Sequence, residues 1–146
     1  MSEKTIDSIR YAAICAELSG AAILIDIPRE QLARDYNGIG ADWMPAEVRD
    51  KITEWLSLFE PAALIHDLRY SRSNGTRPAF DAANEEFRDN CRALADYAYP
   101  WYSWRRYRAR AIASALYACV ASEGGWRAWQ DAAKKRGTND AEFPQH

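Results

Sequence analysis

The stretch Pro61-Ala62-Ala63-Leu64-Ile65-His66-Asp67-Leu68-Arg69-Tyr70 constrains the chain more than any other. A proline at the first turn followed by two alanines and two branched apolar residues predicts a helix made for burial, which other elements must cover. Such a helix rarely spends its centre on His-Asp. On helical spacing, Tyr70 lies four residues from His66 and three from Asp67, so its ring reaches over both polar side chains. Two readings follow: a structural histidine satisfied by its neighbours, or a histidine placed for chemistry.

The covering elements are helical as well. Ile6, Ile9, Ala13 and Ala16 recur at helical steps between Lys4 and Ser19, and Gly20 can stop that helix. Ala21 to Ile27 is short and branched and reads as an extended segment before Pro28, which opens a short helix to Asp35. Tyr36-Asn37-Gly38-Ile39-Gly40-Ala41-Asp42-Trp43 breaks the pattern with two glycines two apart, a loop that can turn successive carbonyls toward one point. Pro45 then starts an amphipathic helix carrying Val48, Ile52, Trp55, Leu56 and Phe59 on one face, and Pro61 starts the next.

The polar run Ser71 to Pro78, with Asn74-Gly75 at its centre, predicts a turn and an antiparallel return over Ala79 to Ala98. On that return Phe80, Phe87, Cys91 and Leu94 form the apolar face, and Asn84 falls among them while Asp81 sits on the charged face. At about 1.5 Å per residue, Asn84 lies about 9 Å past the turn and His66 about 7.5 Å before it, so the hairpin sets the two level. A polar residue inside a core, level with a buried histidine, calls for a hydrogen bond. Local capping by Asn84 is the competing reading.

Pro100 ends the hairpin and introduces Trp101-Tyr102-Ser103-Trp104-Arg105-Arg106-Tyr107-Arg108-Ala109-Arg110. Interleaved rings and arginines suit a lipid headgroup surface, where Trp101 and Trp104 supply amphipathic rings and Arg105, Arg106 and Arg108 attract phosphate. Arginines lying over a packed aromatic cluster would use the same composition. The helix continues through Ile112, Leu116 and Val120. Gly124-Gly125 ends it, Trp126 and Trp129 begin a short last helix, and a polar tail runs from Gly137 to His146.

The expected fold is therefore all-α: a single helical bundle over residues 1–136 with a central antiparallel hairpin and a glycine-containing loop. Nineteen basic and twenty-one acidic residues leave a net charge of -2, which argues against nucleic acid as a partner. No apolar run approaches the ~20 residues of a membrane span and the first residues lack a signal-peptide pattern, so a cytoplasmic site of synthesis is expected. Cys15, Cys91 and Cys119 lie in apolar helical patterns as free thiols, and zinc-site spacings are missing.

Tyr36-Asn37-Gly38-Ile39-Gly40 resembles the Tyr-x-Gly-x-Gly calcium loop of the phospholipase A2 family, and His66-Asp67-Leu68-Arg69-Tyr70 resembles its His-Asp-x-x-Tyr helix, in the same order. Ala83-Asn84-Glu85-Glu86-Phe87 is similar to the Ala-Asp-x-x-Phe stretch of the parvovirus capsid and bacterial members, whose acid orients the catalytic histidine. The resemblance implies calcium held by Asp67 and the carbonyls of Tyr36, Gly38 and Gly40. It implies His66 as general base toward the sn-2 ester of a phospholipid, calcium and the Gly38 N–H stabilising the oxyanion, and Tyr70 bracing the acid network. Asn84 stands where the family has its acid, which implies a weakened hydrolase or a non-catalytic lipid-binding or assembly module. Small phage and prophage proteins share the His-Asp-x-x-Tyr pattern and the Trp-rich end, which adds virion association to the expectations. A metal phosphohydrolase of the His-Asp type would need further ligands, and His146 is the only other histidine.

Overall fold

The computed structural model describes residues 3–36, 46–47 and 55–142. Among them are seven helices and no strand: α1 Glu3–Cys15, α2 Ala21–Ile25, α3 Arg29–Asp35, α4 Leu56–Ser71, α5 Arg77–Ala98, α6 Trp104–Val120 and α7 Glu123–Glu142. This is the expected all-α bundle. Helices α4 and α5 form the central hairpin, closed by a turn in which Gly75 takes φ 76°. Helix α6 packs along α5, α1 and α3 cover α4, and α7 lies against both α4 and α6.

Helix α4 is apolar on nearly every side because it is enclosed. Phe59, Ala62, Ala63, Leu64, Ile65 and Leu68 are all buried, joined by Ile6 and Ile9 from α1, Leu32 from α3, Phe87 and Cys91 from α5, and Leu116 from α6. A smaller cluster of Phe80, Ala83 and Trp129, flanked by Tyr70 and Trp126, holds α7 against the turn end of the hairpin. Trp129 Nε1 donates to the Thr76 carbonyl at 3.1 Å, and Ser73 Oγ donates to the Trp129 carbonyl at 2.9 Å.

The structure corrects several expectations. Pro61 does not begin a helix; it lies inside α4, which starts at Leu56. A proline within a helix costs about 3 kcal/mol, whereas burying one Phe, Leu or Ile side chain contributes about 1.5–3, so the apolar residues flanking Pro61 outweigh it. Ala21–Ile25 is a short helix rather than extended chain, because Ala21 and Leu24 are buried at a helical step of three. Gly20 allows that start with φ 87°, and a side chain there would meet Ile65 Cγ2. The final helix is not short: α7 takes in Gly124 and Gly125 at its start and continues past Gly137 to Glu142. Cys15 is exposed rather than packed, while Cys91 is fully enclosed. Most of the helix expected from Pro45, and the tail end with His146, lie outside the described residues.

The turn between α1 and α2 is tied to the hairpin by polar groups. Asn90 accepts from the Ser19 backbone N–H and donates to the Ser19 carbonyl, both at 2.9 Å. Glu86 holds Arg69 through two bonds of 2.9 and 3.1 Å and accepts from Ser19 Oγ at 2.8 Å.

Candidate active site at the helix hairpin

The antiparallel return brings Asn84 onto His66, as the axial offsets require. His66 Nε2 and Asn84 Oδ1 are 2.9 Å apart. Which way the amide faces follows from its other end, where Asn84 Nδ2 donates to the Val120 carbonyl at 3.3 Å. A carbonyl can only accept, so Oδ1 must face the ring and Nε2 must carry the proton. Nδ1 then keeps its lone pair, and it has no hydrogen-bond partner among the described residues. Tyr70 Oη also approaches Asn84 Oδ1, at 3.3 Å, and the Gly125 carbonyl, at 3.5 Å.

Aromatic rings enclose the histidine. Its ring centroid is 4.4 Å from that of Tyr70 and 4.7 Å from that of Phe87, and Trp129 meets Tyr70 edge-on at 5.0 Å. His66 is only 7% exposed. Burial lowers its pKa to about 4, against the smaller opposing effects of the Asn84 hydrogen bond and the Glu86 charge. The imidazole is thus neutral at physiological pH. Burial, helped by the Asp67 charge and opposed by the Asn84 bond, pushes the Tyr70 hydroxyl up, so it stays protonated and can donate.

Gly125 shapes this arrangement from outside. A side chain at Gly125 would run into the Val120 carbonyl, the group that holds the Asn84 amide. Only glycine lets the start of α7 close over the end of α6 with both carbonyls aimed at the site. The Gly124-Gly125 pair carried this signal in the sequence as a helix stop, not as a close approach. Val120 and Gly125 act through main-chain oxygens, which no residue pattern identifies.

Asp67 is half-buried; burial pushes the Tyr36 hydroxyl up, and the charges of Glu60 and Asp67 push it further. Tyr36 is 8% exposed, and its hydroxyl is a buried polar atom with no hydrogen-bond partner. Among the described residues no three His, Cys, Asp or Glu side chains come together. Gly38 and Gly40 lie outside the described residues. Of the expected calcium ligands, only Asp67 and Tyr36, the latter through its carbonyl, are among the described residues.

The aromatic and basic stretch stands apart. Along α5 it begins about 20 Å beyond Asn84, at ~1.5 Å per residue. Trp101 is 75% and Trp104 64% exposed, and Tyr97, Tyr102 and Tyr107 are exposed beside them. Arg105 and Arg108 are exposed, Arg105 lying 5.4 Å over the Trp104 ring. Arg106 differs from expectation: it pairs with Asp96 at 2.7 Å, alongside Arg110 at 2.8 Å. Among the described residues no helix is long and apolar enough to cross a membrane.

Compared with known proteins, the chain matches no family model, no curated protein and no solved structure.

Proposed function

We propose that this chain is a calcium-dependent hydrolase of the phospholipase A2 type, acting on the sn-2 ester of phospholipids and slowed by Asn84. The carrying observation is the 2.9 Å contact of His66 Nε2 with an asparagine oxygen whose orientation is fixed by Val120. It leaves Nδ1 as the basic nitrogen of a neutral imidazole, the state a general base needs before reaction. His66 takes the proton of the attacking water at Nδ1, while Asn84 and Tyr70 hold the ring and Phe87 limits water around it. Asp67 with the carbonyls of Tyr36, Gly38 and Gly40 would hold calcium, which supplies charge to polarise the ester and stabilise the oxyanion. Trp101, Trp104, Arg105 and Arg108 present the molecule to an anionic phospholipid surface.

Slowness follows from electrostatics. The imidazolium formed on proton transfer sits in a buried site that favours the neutral ring, and Asn84 offers an acceptor without a countercharge. The test is fatty-acid release from anionic liposomes by wild type and His66→Ala, with calcium and with chelator. Release that needs both calcium and His66 supports the reading; no release by wild type withdraws it.

The same asparagine favours a second reading, a non-catalytic lipid-binding or virion-assembly module that keeps the hairpin. Its signature is vesicle binding by wild type and His66→Ala alike, with no hydrolysis.

A further inference from the structure

A cavity of about 300 Å³ opens near the turn end of the hairpin. Its floor comes from α5, where Ala79, Ala82, Ala83 and Glu86 share one face at helical spacing, so the first turns of that face carry only methyl groups. Arg69 and Arg72, one turn apart at the end of α4, line it from the other arm of the hairpin. The buried Trp129 of α7 closes the inner side, and the exposed Asn74 of the turn stands at the rim. Neither His66 nor Asn84 lines this space, so it is distinct from the site described above.

The polar groups of the cavity are unequally matched. Arg69 commits Nε and Nη2 to Glu86, at 2.9 and 3.1 Å, and Glu86 also accepts from Ser19 Oγ at 2.8 Å, so that carboxylate is fully paired. Arg72 is different: its carbonyl accepts from Arg136, but among the described residues its guanidinium makes no ion pair and no hydrogen bond. Asn74 Oδ1 accepts from the Thr76 backbone N–H at 3.0 Å and from the Thr76 hydroxyl at 2.8 Å, which leaves Nδ2 as a spare donor. Two guanidiniums against one carboxylate give the lining a net positive charge, with unmatched donors beside alanine methyls and an indole.

We propose that this cavity binds a small organic monoanion, a carboxylate on a short apolar chain, with the carboxylate taken by Arg72 and Asn74 and the chain lying along Ala79, Ala82 and Ala83 against Trp129. A guanidinium fork matches a carboxylate through two parallel bonds. A dianion is disfavoured, because Glu86 lines the same space. Volume sets the chain: at ~30 Å³ for each water-sized group, about 300 Å³ holds about ten non-hydrogen atoms, the count in octanoate. The inference does not depend on the hydrolase reading.

Titration of isotope-labelled protein with octanoate tests it, followed by NMR at the Trp129 indole N–H and at the amides of Ala79, Ala82 and Ala83. Millimolar octanoate is expected to shift these signals saturably. Acetate, which keeps the charge and lacks the chain, and inorganic phosphate, which carries more charge and no chain, should each bind at least about tenfold more weakly. Arg72→Ala should weaken octanoate about tenfold, and Ala82→Leu, which fills the cavity from its rim, should abolish the shifts. Both positions are exposed, and melting curves confirm that both variants fold. Octanoate that leaves the Trp129 indole unmoved, moves it equally in wild type and both variants, or shifts only Trp101 and Trp104 overturns the site. Phosphate binding as tightly as octanoate overturns the organic monoanion as its ligand.

Discussion

His66 Nε2 and Asn84 Oδ1 lie 2.9 Å apart at the level where α4 and α5 face each other, and this contact sets the tautomer of the histidine while burial keeps its ring neutral. The amide fixes the ring and favours its protonated form only weakly, because it brings no countercharge. Asn84→Asp supplies that charge and is expected to raise the His66 pKa, read by NMR titration, and calcium-dependent hydrolysis by about tenfold or more. The carboxylate would face the Val120 carbonyl, leaving two acceptors opposed, at a cost of about 1–3 kcal/mol in stability. A folded Asn84→Asp protein that binds calcium, with a raised His66 pKa and still no hydrolysis, would replace the hydrolase with the binding module.

Stability should fall on mild acidification. The folded pKa of His66 is about 4 against 6.5 unfolded, so between those values the unfolded chain binds the extra proton. Stability from the neutral ring is complete above the unfolded value and is lost as pH falls toward the folded one, on the order of 3 kcal/mol in all. Urea denaturation at several pH values measures it. His66→Gln, which keeps a donor for Asn84 without titrating, should flatten the profile in this window.

Gly125→Ala should be costly where Gly137→Ala is not. The added methyl at 125 meets the Val120 carbonyl, whereas at 137 nothing lies within 4 Å. Overpacking of this kind costs about 1–3 kcal/mol, and replacing an unobstructed helical glycine by alanine adds roughly 0.5–1 kcal/mol. Thermal melts of the two variants should move in opposite directions. Displacing Val120 also frees the Asn84 amide, so Gly125→Ala should disturb the His66 ring signals.

Vesicle binding should separate the arginines. Trp101→Ala with Trp104→Ala, or Arg105→Ala with Arg108→Ala, should weaken association with anionic vesicles while leaving the melt unchanged, since these side chains are exposed. Salt should weaken wild-type association, because surface charge is screened over ~8 Å at physiological ionic strength. Arg106→Ala should instead act on stability, by well under about 1 kcal/mol, through its pair with Asp96. Cosedimentation with anionic and neutral vesicles distinguishes these cases; equal binding to both vesicle types removes the electrostatic part of the surface.

Helical periodicity alone determined the all-α class, the Asn74-Gly75 turn and the level placement of His66 and Asn84, because each depends on local geometry: a fixed rise, a fixed angular step and a turn residue. Burial decided what local signals could not. Pro61 sits inside a helix because its flanks are enclosed, and Ala21–Ile25 coils because Ala21 and Leu24 share a buried side. The pairing of Arg106 with Asp96 depends on how α6 lies along α5, a relation between residues ten apart across a turn. Asn84 was legible as a polar residue on an apolar face, but its orientation comes from Val120, thirty-six residues away, and Gly125 matters only because α7 folds back on α6. Main-chain carbonyls carry no residue identity, so their part in the site exists only once tertiary packing has brought the helix ends together.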